Sequence, residues 1–293
     1  MPTTPDSLTP APMPQGEPEP WSEADFAPIV GFLRNQIGIT LEPGRLGLFM
    51  ARLRSRLREK SFPSFTRFYD RILKVDVNGP GMQLLIDLST VNHTAFFREP
   101  AHFTFMAERL APLFRDPNGG LIRIWSAGCS TGQEPYSMAM VLAETVPNLS
   151  PTKCEIWASD LSVQVLKDAA RAIYQERDIA GVSPARLRRF FLRGKNEKAG
   201  SYRVVPEIRN VVKYRHLNLR DQVWPLPNDF HVILCRNVSI YFAEEERMDL
   251  LNRLASSLRP GGWLAIGNGE ILPGVPNSLR KIAPSIYRKE TST

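Results

Sequence analysis

Nowhere in the 293 residues is there an uninterrupted apolar run of the roughly 18–20 residues that crosses a bilayer, so no membrane insertion is expected. The N-terminus lacks a basic stretch leading into an apolar one, so no secretory leader is read there. Cysteine is scarce. Cys129, Cys154 and Cys235 are scattered and odd in number, which argues against a disulfide framework and a cysteine-rich zinc site and fits a reducing, cytoplasmic setting. The four histidines (His93, His102, His216 and His231) show no metal-ligand spacing, so no metal is expected. Acidic residues are outnumbered, 30 against 37 basic, for a formal net charge of +7. A basic chain suits nucleic acid or an acidic protein surface, and only the placement of the charges separates the two.

Apolar residues are plentiful at 43%, enough for a real core, and the length suits one large or two modest domains. Residues 1–20 are rich in proline and carry no Lys or Arg. Such a stretch buries too little apolar surface to order itself and is expected to be a disordered tail. From Trp21 to about Val91 the patterns are helical. Ser22 is placed to cap "SEADFAPIVGFLRNQIG", with Asp25 in its first turn. In "GRLGLFMARLRSRLREK", Leu46, Phe49, Leu53 and Leu57 recur at helical spacing, which makes one apolar face. Arg52 and Arg56 share a second face, and Arg54 and Arg58 a third. "SFTRFYDRIL" and "PGMQLLIDLST" read as two more short helices, so 21–91 is expected to be an all-helical domain.

After His93 the texture changes. Strand-length apolar runs near 121–126, 154–159, 211–217, 230–235 and 262–267 alternate with helical patterns near 134–146, 162–174 and 243–258. This alternation predicts an α/β domain over 92–293, a mostly parallel sheet with helices on both faces and a ligand at the strands' C-terminal ends. One stretch breaks the rhythm. "FFLRGKNEKAGSYRVVPEIRNVV" sets two short β-like runs around a polar turn, so a small antiparallel insert is expected at about 185–212.

The turn "SAGCSTGQEPY" (126–136) follows the first strand. It is neither the dinucleotide fingerprint nor a phosphate-gripping loop. Small residues at 127, 128, 130 and 132 let a ligand lie against the backbone, and Glu134, awkward beside a diphosphate, suits a ribose hydroxyl or a cationic centre. A tight strand-to-helix turn would ask for the same residues. Asp160 closes the second strand in "EIWASDLS", where an acid commonly holds ribose hydroxyls; it is equally placed to cap the next helix. Together they point to an adenosine-type ligand. "VNHTAFFREP" (91–100) packs Asn92, Thr94, Arg98 and Glu99 around two phenylalanines, and Arg236-Asn237 follow the buried run of "FHVILCRNVSIYF".

"VNHTAFFRE", "GCSTGQEPYS", "ASDLS" and "CRNVSIYF", in this order and spacing, closely resemble the CheR family, chemotaxis protein-glutamate O-methyltransferases that use S-adenosylmethionine. The resemblance runs from about Trp21 to the C-terminus. It implies a helical N-terminal domain, a Rossmann-like methyltransferase sheet and an inserted β-subdomain. By residue match it implies that Asn92, Thr94, Arg98, Glu134, Asp160, Asn218, Leu219, Arg236 and Asn237 contact the cofactor. Arg98 is expected at the reactive end, holding the incoming carboxylate or the carboxylate of the cofactor, and Tyr241 beside the methyl pocket. S-adenosylhomocysteine would be the product. The partner implied is the acidic cytoplasmic domain of a methyl-accepting chemoreceptor. Arg52, Arg54, Arg56 and Arg58 would steer that surface, and the β-subdomain is a candidate dock for a receptor tail. The protein is expected to act as a monomer.

The sequence departs from the family's usual wording at three places, four residues in all. Gln133 stands where many relatives have an acid, Asn268-Gly269 where many have His-Ser, and Asn196 where a glycine is expected in the turn of the insert. A nucleic-acid methyltransferase is the first alternative. Against it, no Asn/Asp-Pro-Pro-aromatic signature follows the fourth strand, where "RNVSIYF" stands. A cofactor-binding signalling scaffold without turnover is the second.

Overall fold

The computed structural model describes residues 27–39, 41, 43–59, 65–70, 79–90, 93–116, 119–270, 272 and 274–291. The proline-rich segment 1–20, Ser22, Asp25 and Asn92 lie outside the described residues. The chain divides into two compact units, Met1–Gln36 with Thr40–Ser89, and Thr90–Thr293 with Ile37–Ile39.

The smaller unit is helical: α1 (Ala27–Ile37), α2 (Pro43–Glu59), the single turn α3 (Phe65–Phe68) and α4 (Pro80–Ser89). On α2 the apolar spacing turns Phe49, Leu53 and Leu57 inward, all but fully buried, and α2 packs on α4 through Met82, Leu85 and Ile86. Arg52, Arg56 and Arg58 are exposed on α2 and Arg54 is half-buried. Arg56 pairs with Glu59 at 2.8 Å.

The larger unit is built on a seven-stranded sheet in the order β6-β2-β1-β7-β8-β10-β9. Strands β1 (Ile122–Ala127), β2 (Cys154–Asp160), β6 (Val212–His216), β7 (Phe230–Cys235) and β8 (Leu258–Ile266) run parallel; β9 (Leu279–Ala283) and β10 (Ile286–Lys289) add an antiparallel hairpin at one edge. From β1 the chain winds outward through β2 to β6, then crosses back to β7 and β8. Strand order therefore reverses between β1 and β7, and the crevice outside their C-terminal ends is the expected ligand position.

Alternation along the strands sets two cores. Ile122, Ile124, Ile156, Ala158, Val232 and Leu234 face helices α5 (Pro100–Arg115) and α6 (Gln133–Thr145). Trp125, Ile233 and Leu264 face α10 (Glu244–Ser257) through Leu250, Leu251 and Leu254. Every residue of β7 is buried, as a central strand covered on both faces requires.

Three features differ from the sequence expectation. Residues 100–115 form α5, with Pro100 at its start, a helix absent from the pattern of strands and helices expected above. The segment 162–174 is not one helix. The helix α7 (Val163–Arg171) stops short, Ala172 turns left-handed (φ 55°), and Ile173–Gln175 becomes strand β3. The insert therefore starts before 185. It is a three-stranded antiparallel sheet, β3-β5-β4, with β4 at Phe191–Arg193 and β5 at Ser201–Val204, and it carries the helix α8 (Pro184–Phe190). Asn196 holds φ 53° in the turn, a conformation asparagine tolerates almost as glycine does.

Candidate active site

The turn after β1 is shaped by two glycines. Gly128 has φ 82°, and a Cβ there would lie 2.3 Å from Val238 Cγ2. Gly132 has φ 93°, and a Cβ would meet Ala169 Cβ at 2.9 Å and the Tyr174 hydroxyl at 3.1 Å. Only glycine lets the turn come this close to its neighbours. Ser130, between them, is itself left-handed (φ 49°) and donates its backbone N–H to Asp160 Oδ2 at 2.8 Å. The other Asp160 oxygen accepts from Ser162 N–H at 3.0 Å. Ser162, not Asp160, caps α7, accepting from Val165 N–H at 3.2 Å. Asp160 thus stands at the C-terminal end of β2, tied to the turn through Ser130 and to the first residues of the next segment through Ser162.

Glu134, in the first turn of α6, is 12% exposed. One oxygen accepts from Ser126 Oγ at 2.6 Å and the other from Arg236 Nη1 at 3.0 Å. Burial pushes its carboxyl above the ordinary value, while Arg236 and Ser126 pull it back. Arg236, at the end of β7, is 2% exposed, and its guanidinium lies over the Phe103 ring, 5.3 Å from the centroid. It also donates to Glu99 Oε2 (Nε at 3.3 Å, Nη2 at 3.0 Å) and to the Arg98 carbonyl. The structure therefore brings Glu134 and Arg236 into one buried cluster with Glu99, which the sequence places among the polar residues of 91–100 but not among the cofactor contacts.

A second residue outside the expected cofactor contacts is Glu270, which follows the altered Asn268-Gly269. Its oxygens accept from the N–H groups of Asn237 (2.8 Å), Val238 (3.1 Å), Ser239 (2.9 Å) and Gly267 (2.6 Å), and from Ser239 Oγ (2.7 Å). The clamp holds Asn237 at φ 59°. The only sequence signal for Glu270 is an acid at the end of a buried strand.

Asn218 and Leu219 follow β6. The Asn218 side chain accepts from Arg220 N–H at 3.0 Å, and Leu219 is buried with its carbonyl on Arg253. Thr94 and Arg98 lie on the loop before α5. The Arg98 side chain is exposed and donates to the His93 carbonyl at 3.3 Å. Tyr241 sits in a 3₁₀ turn, Ser239–Tyr241, just past the Glu270 clamp. Gln133 is buried, and its side-chain oxygen accepts from Thr131 Oγ1 at 2.8 Å, so it braces the turn internally. The arginines of α2 belong to the smaller unit.

The insert is wired to this edge. The Tyr174 hydroxyl, on β3, donates to the Thr131 carbonyl at 2.7 Å. Phe96 meets Tyr174 and Phe191 edge-on at centroid distances of 4.8 and 5.3 Å. The thiols of Cys129 and Cys235 are buried and pushed well up, by burial first and then by the nearby carboxylates of Asp160, Glu134 and Glu270. His102, buried beside Glu99, is pushed down by burial and by Arg236. Among the described residues, no group of His, Cys, Asp and Glu is arranged to hold a metal ion.

A doubly wound sheet, a small-residue turn after β1, an acid at the end of β2 and a buried acid-rich cluster define an α/β domain for an adenosine-type cofactor with a cationic centre. Comparison with known proteins makes this specific. Residues 92–287 match the CheR methyltransferase, SAM binding domain, and residues 24–88 the CheR methyltransferase, all-alpha domain. The chemotaxis protein methyltransferase of Salmonella typhimurium (strain LT2) is 35% identical over 266 residues, 91% of this chain and 90% of that one. That of Klebsiella aerogenes is 36% identical over 268 residues, covering 92% and 90%. Chemotaxis protein methyltransferase 2 of Pseudomonas aeruginosa is 33% identical over 287 residues, covering 98% and 99%. The chain belongs to the CheR family of methyltransferases, and its cofactor is S-adenosylmethionine.

The donor set fits that cofactor. Counted as ions, Glu99 and Glu134 outnumber Arg236 by one, so the cluster carries a formal excess of negative charge that complements a sulfonium or ammonium group.

Proposed function

We propose that this chain methylates glutamate side chains on the cytoplasmic domains of methyl-accepting chemoreceptors, acting as a monomer in the cytoplasm. The observation that carries the reading is membership of the CheR family over nearly the whole chain, together with the buried acid-rich cluster at the switch point of the sheet.

When bound, S-adenosylmethionine would supply the methyl group to a carboxylate oxygen of the glutamate, its sulfonium becoming the thioether of S-adenosylhomocysteine. Everything else falls to the protein. A free glutamate, of pKa about 4.3, is already ionised at neutral pH, so no strong general base is required. Alignment and loss of water around the carboxylate account for the rate. Asp160 holds the ribose hydroxyls, and Glu134 the polar amino-acid end. Asn92, Thr94, Asn218, Leu219 and Asn237 complete the cofactor contacts. Arg236, buried under Glu99 and Glu134, orients those acids. The exposed Arg98 side chain orients the incoming carboxylate, and Tyr241 lines the methyl pocket.

Two surfaces are assigned to the receptor. The arginines of α2 (Arg52, Arg54, Arg56 and Arg58) attract its acidic methylation helices. The outer row of the insert, Ile173, Arg203 and Leu192 in register across β3, β5 and β4 and exposed, offers apolar and basic groups to a receptor tail. The test is incubation with methyl-labelled S-adenosylmethionine and either receptor cytoplasmic domains or RNA. Label in receptor supports the proposal. Label in RNA with none in receptor overturns it, and cofactor binding with label in neither favours a scaffold.

A further inference from the structure

Glu99 joins three segments of the larger unit. Its Oε2 accepts from Nε and Nη2 of Arg236, and its Oε1 accepts from the N–H of Asn268 at 3.3 Å. Its own backbone is left-handed (φ 56°, ψ 66°) at the N-terminus of α5, yet its side chain makes no capping hydrogen bond to that helix. The unfavourable backbone conformation thus turns the carboxylate inward instead of capping the helix.

Arg236 has a second acid in Glu134. One buried arginine is neutralised by one carboxylate, and burying the second is costly unless something cationic joins the cluster. Nothing in the described chain does so. His102, 3.5 Å from Glu99, is kept toward its neutral form by burial and by Arg236. Glu270, the next acid, is fully engaged by backbone N–H groups and the Ser239 hydroxyl and adds no positive charge.

We infer that Glu99 is a specificity-determining residue: its charge, held at the cluster by Arg236 and Asn268, raises affinity for the sulfonium cofactor relative to its uncharged thioether product. The inference rests on the reading of this edge as the S-adenosylmethionine site. It assigns Glu99 a role in telling substrate from product, distinct from bracing Arg236.

The experiment is calorimetric titration of the full chain with S-adenosylmethionine and with S-adenosylhomocysteine, for wild type, Glu99→Gln, Glu99→Ala, Glu99→Asp and Glu134→Gln. Glu99→Gln keeps shape and removes charge. It is expected to weaken S-adenosylmethionine by about tenfold and S-adenosylhomocysteine by less than about twofold, the size of one charge at moderate dielectric. Glu99→Asp keeps the charge and shortens the reach, so both affinities fall together and their ratio stays at the wild-type value. Glu134→Gln removes the acid assigned to the amino-acid end, which both ligands carry, so it is expected to weaken both together. Glu99→Ala also removes the Glu99 charge and keeps the question decidable if Glu99→Gln fails to fold. An unchanged ratio in the folded Glu99 variant that lacks the charge overturns the inference while leaving the cofactor assignment standing. Failure of the wild type to bind either ligand overturns both.

Discussion

Glu270→Gln is nearly isosteric, yet a large effect is expected from it. The carboxylate accepts five hydrogen bonds, three at Oε1 (Val238 N–H, Ser239 N–H and Ser239 Oγ) and two at Oε2 (Asn237 N–H and Gly267 N–H). A glutamine has one oxygen and one NH₂. Whichever way the amide turns, its NH₂ faces at least two backbone donors that have lost their acceptor. Each buried donor left unsatisfied costs about 1–3 kcal/mol, so the substitution should cost roughly 3–4 kcal/mol. In a domain of about 200 residues each kcal/mol moves the melting midpoint by about 2–4 °C, which puts the expected drop near 6–15 °C. The same change frees Asn237 from its left-handed conformation at the cofactor edge. The further stabilisation given by saturating S-adenosylhomocysteine should therefore also shrink, because it scales with the logarithm of ligand concentration over Kd. Thermal melting with and without the ligand reads both effects. A midpoint within about 2 °C of wild type, with undiminished stabilisation by ligand, would refute the view of Glu270 as the clamp on 237–239.

Asp160→Ala removes the acceptor for Ser130 N–H and Ser162 N–H along with the assigned ribose contact, and cofactor affinity should fall by about tenfold or more; unchanged affinity in calorimetry would remove Asp160 from the site. Glu134 has its carboxyl raised by burial, and a cationic ligand favours the ionised form. Affinity for S-adenosylmethionine should therefore rise as pH climbs from the ordinary carboxylate range through that raised value, with proton uptake by the buffer on binding. Equal heats in buffers of different ionisation enthalpy would contradict this. Charge reversal at Arg54 and Arg58 should raise the apparent KM for receptor and leave cofactor affinity intact, and an equal loss of cofactor affinity would end the docking assignment.

Local pattern carries most of the sheet. The apolar runs that predict β1, β2, β6, β7 and β8 are long and bounded by turns, and β7 is uninterrupted because both its faces are covered. Where the pattern misleads, a single residue decides. The helical spacing of 162–174 continues past Ala172, but that alanine is left-handed because Val204 N–H bonds to its carbonyl, a contact 32 residues away. The edge hairpin β9–β10 is short and half-exposed, and so lacks a clear period. The site divides in the same way. Asp160, Glu134 and Arg236 stand at strand or helix ends, where position alone suggests a role. Glu99 and Glu270 act on partners 137 and about 30 residues distant, and only the folded sheet brings those partners to them.

The most direct test of the assigned reaction uses methyl-labelled S-adenosylmethionine, the purified chain and receptor cytoplasmic domains, followed by mild alkali and capture of volatile methanol. A glutamyl methyl ester releases its label as methanol, whereas a methylated amine or nucleobase keeps it. The expected result is alkali-labile label on receptor that disappears with Asp160→Ala. Alkali-stable label, or none on any receptor despite cofactor binding, would contradict glutamate methylation by this chain.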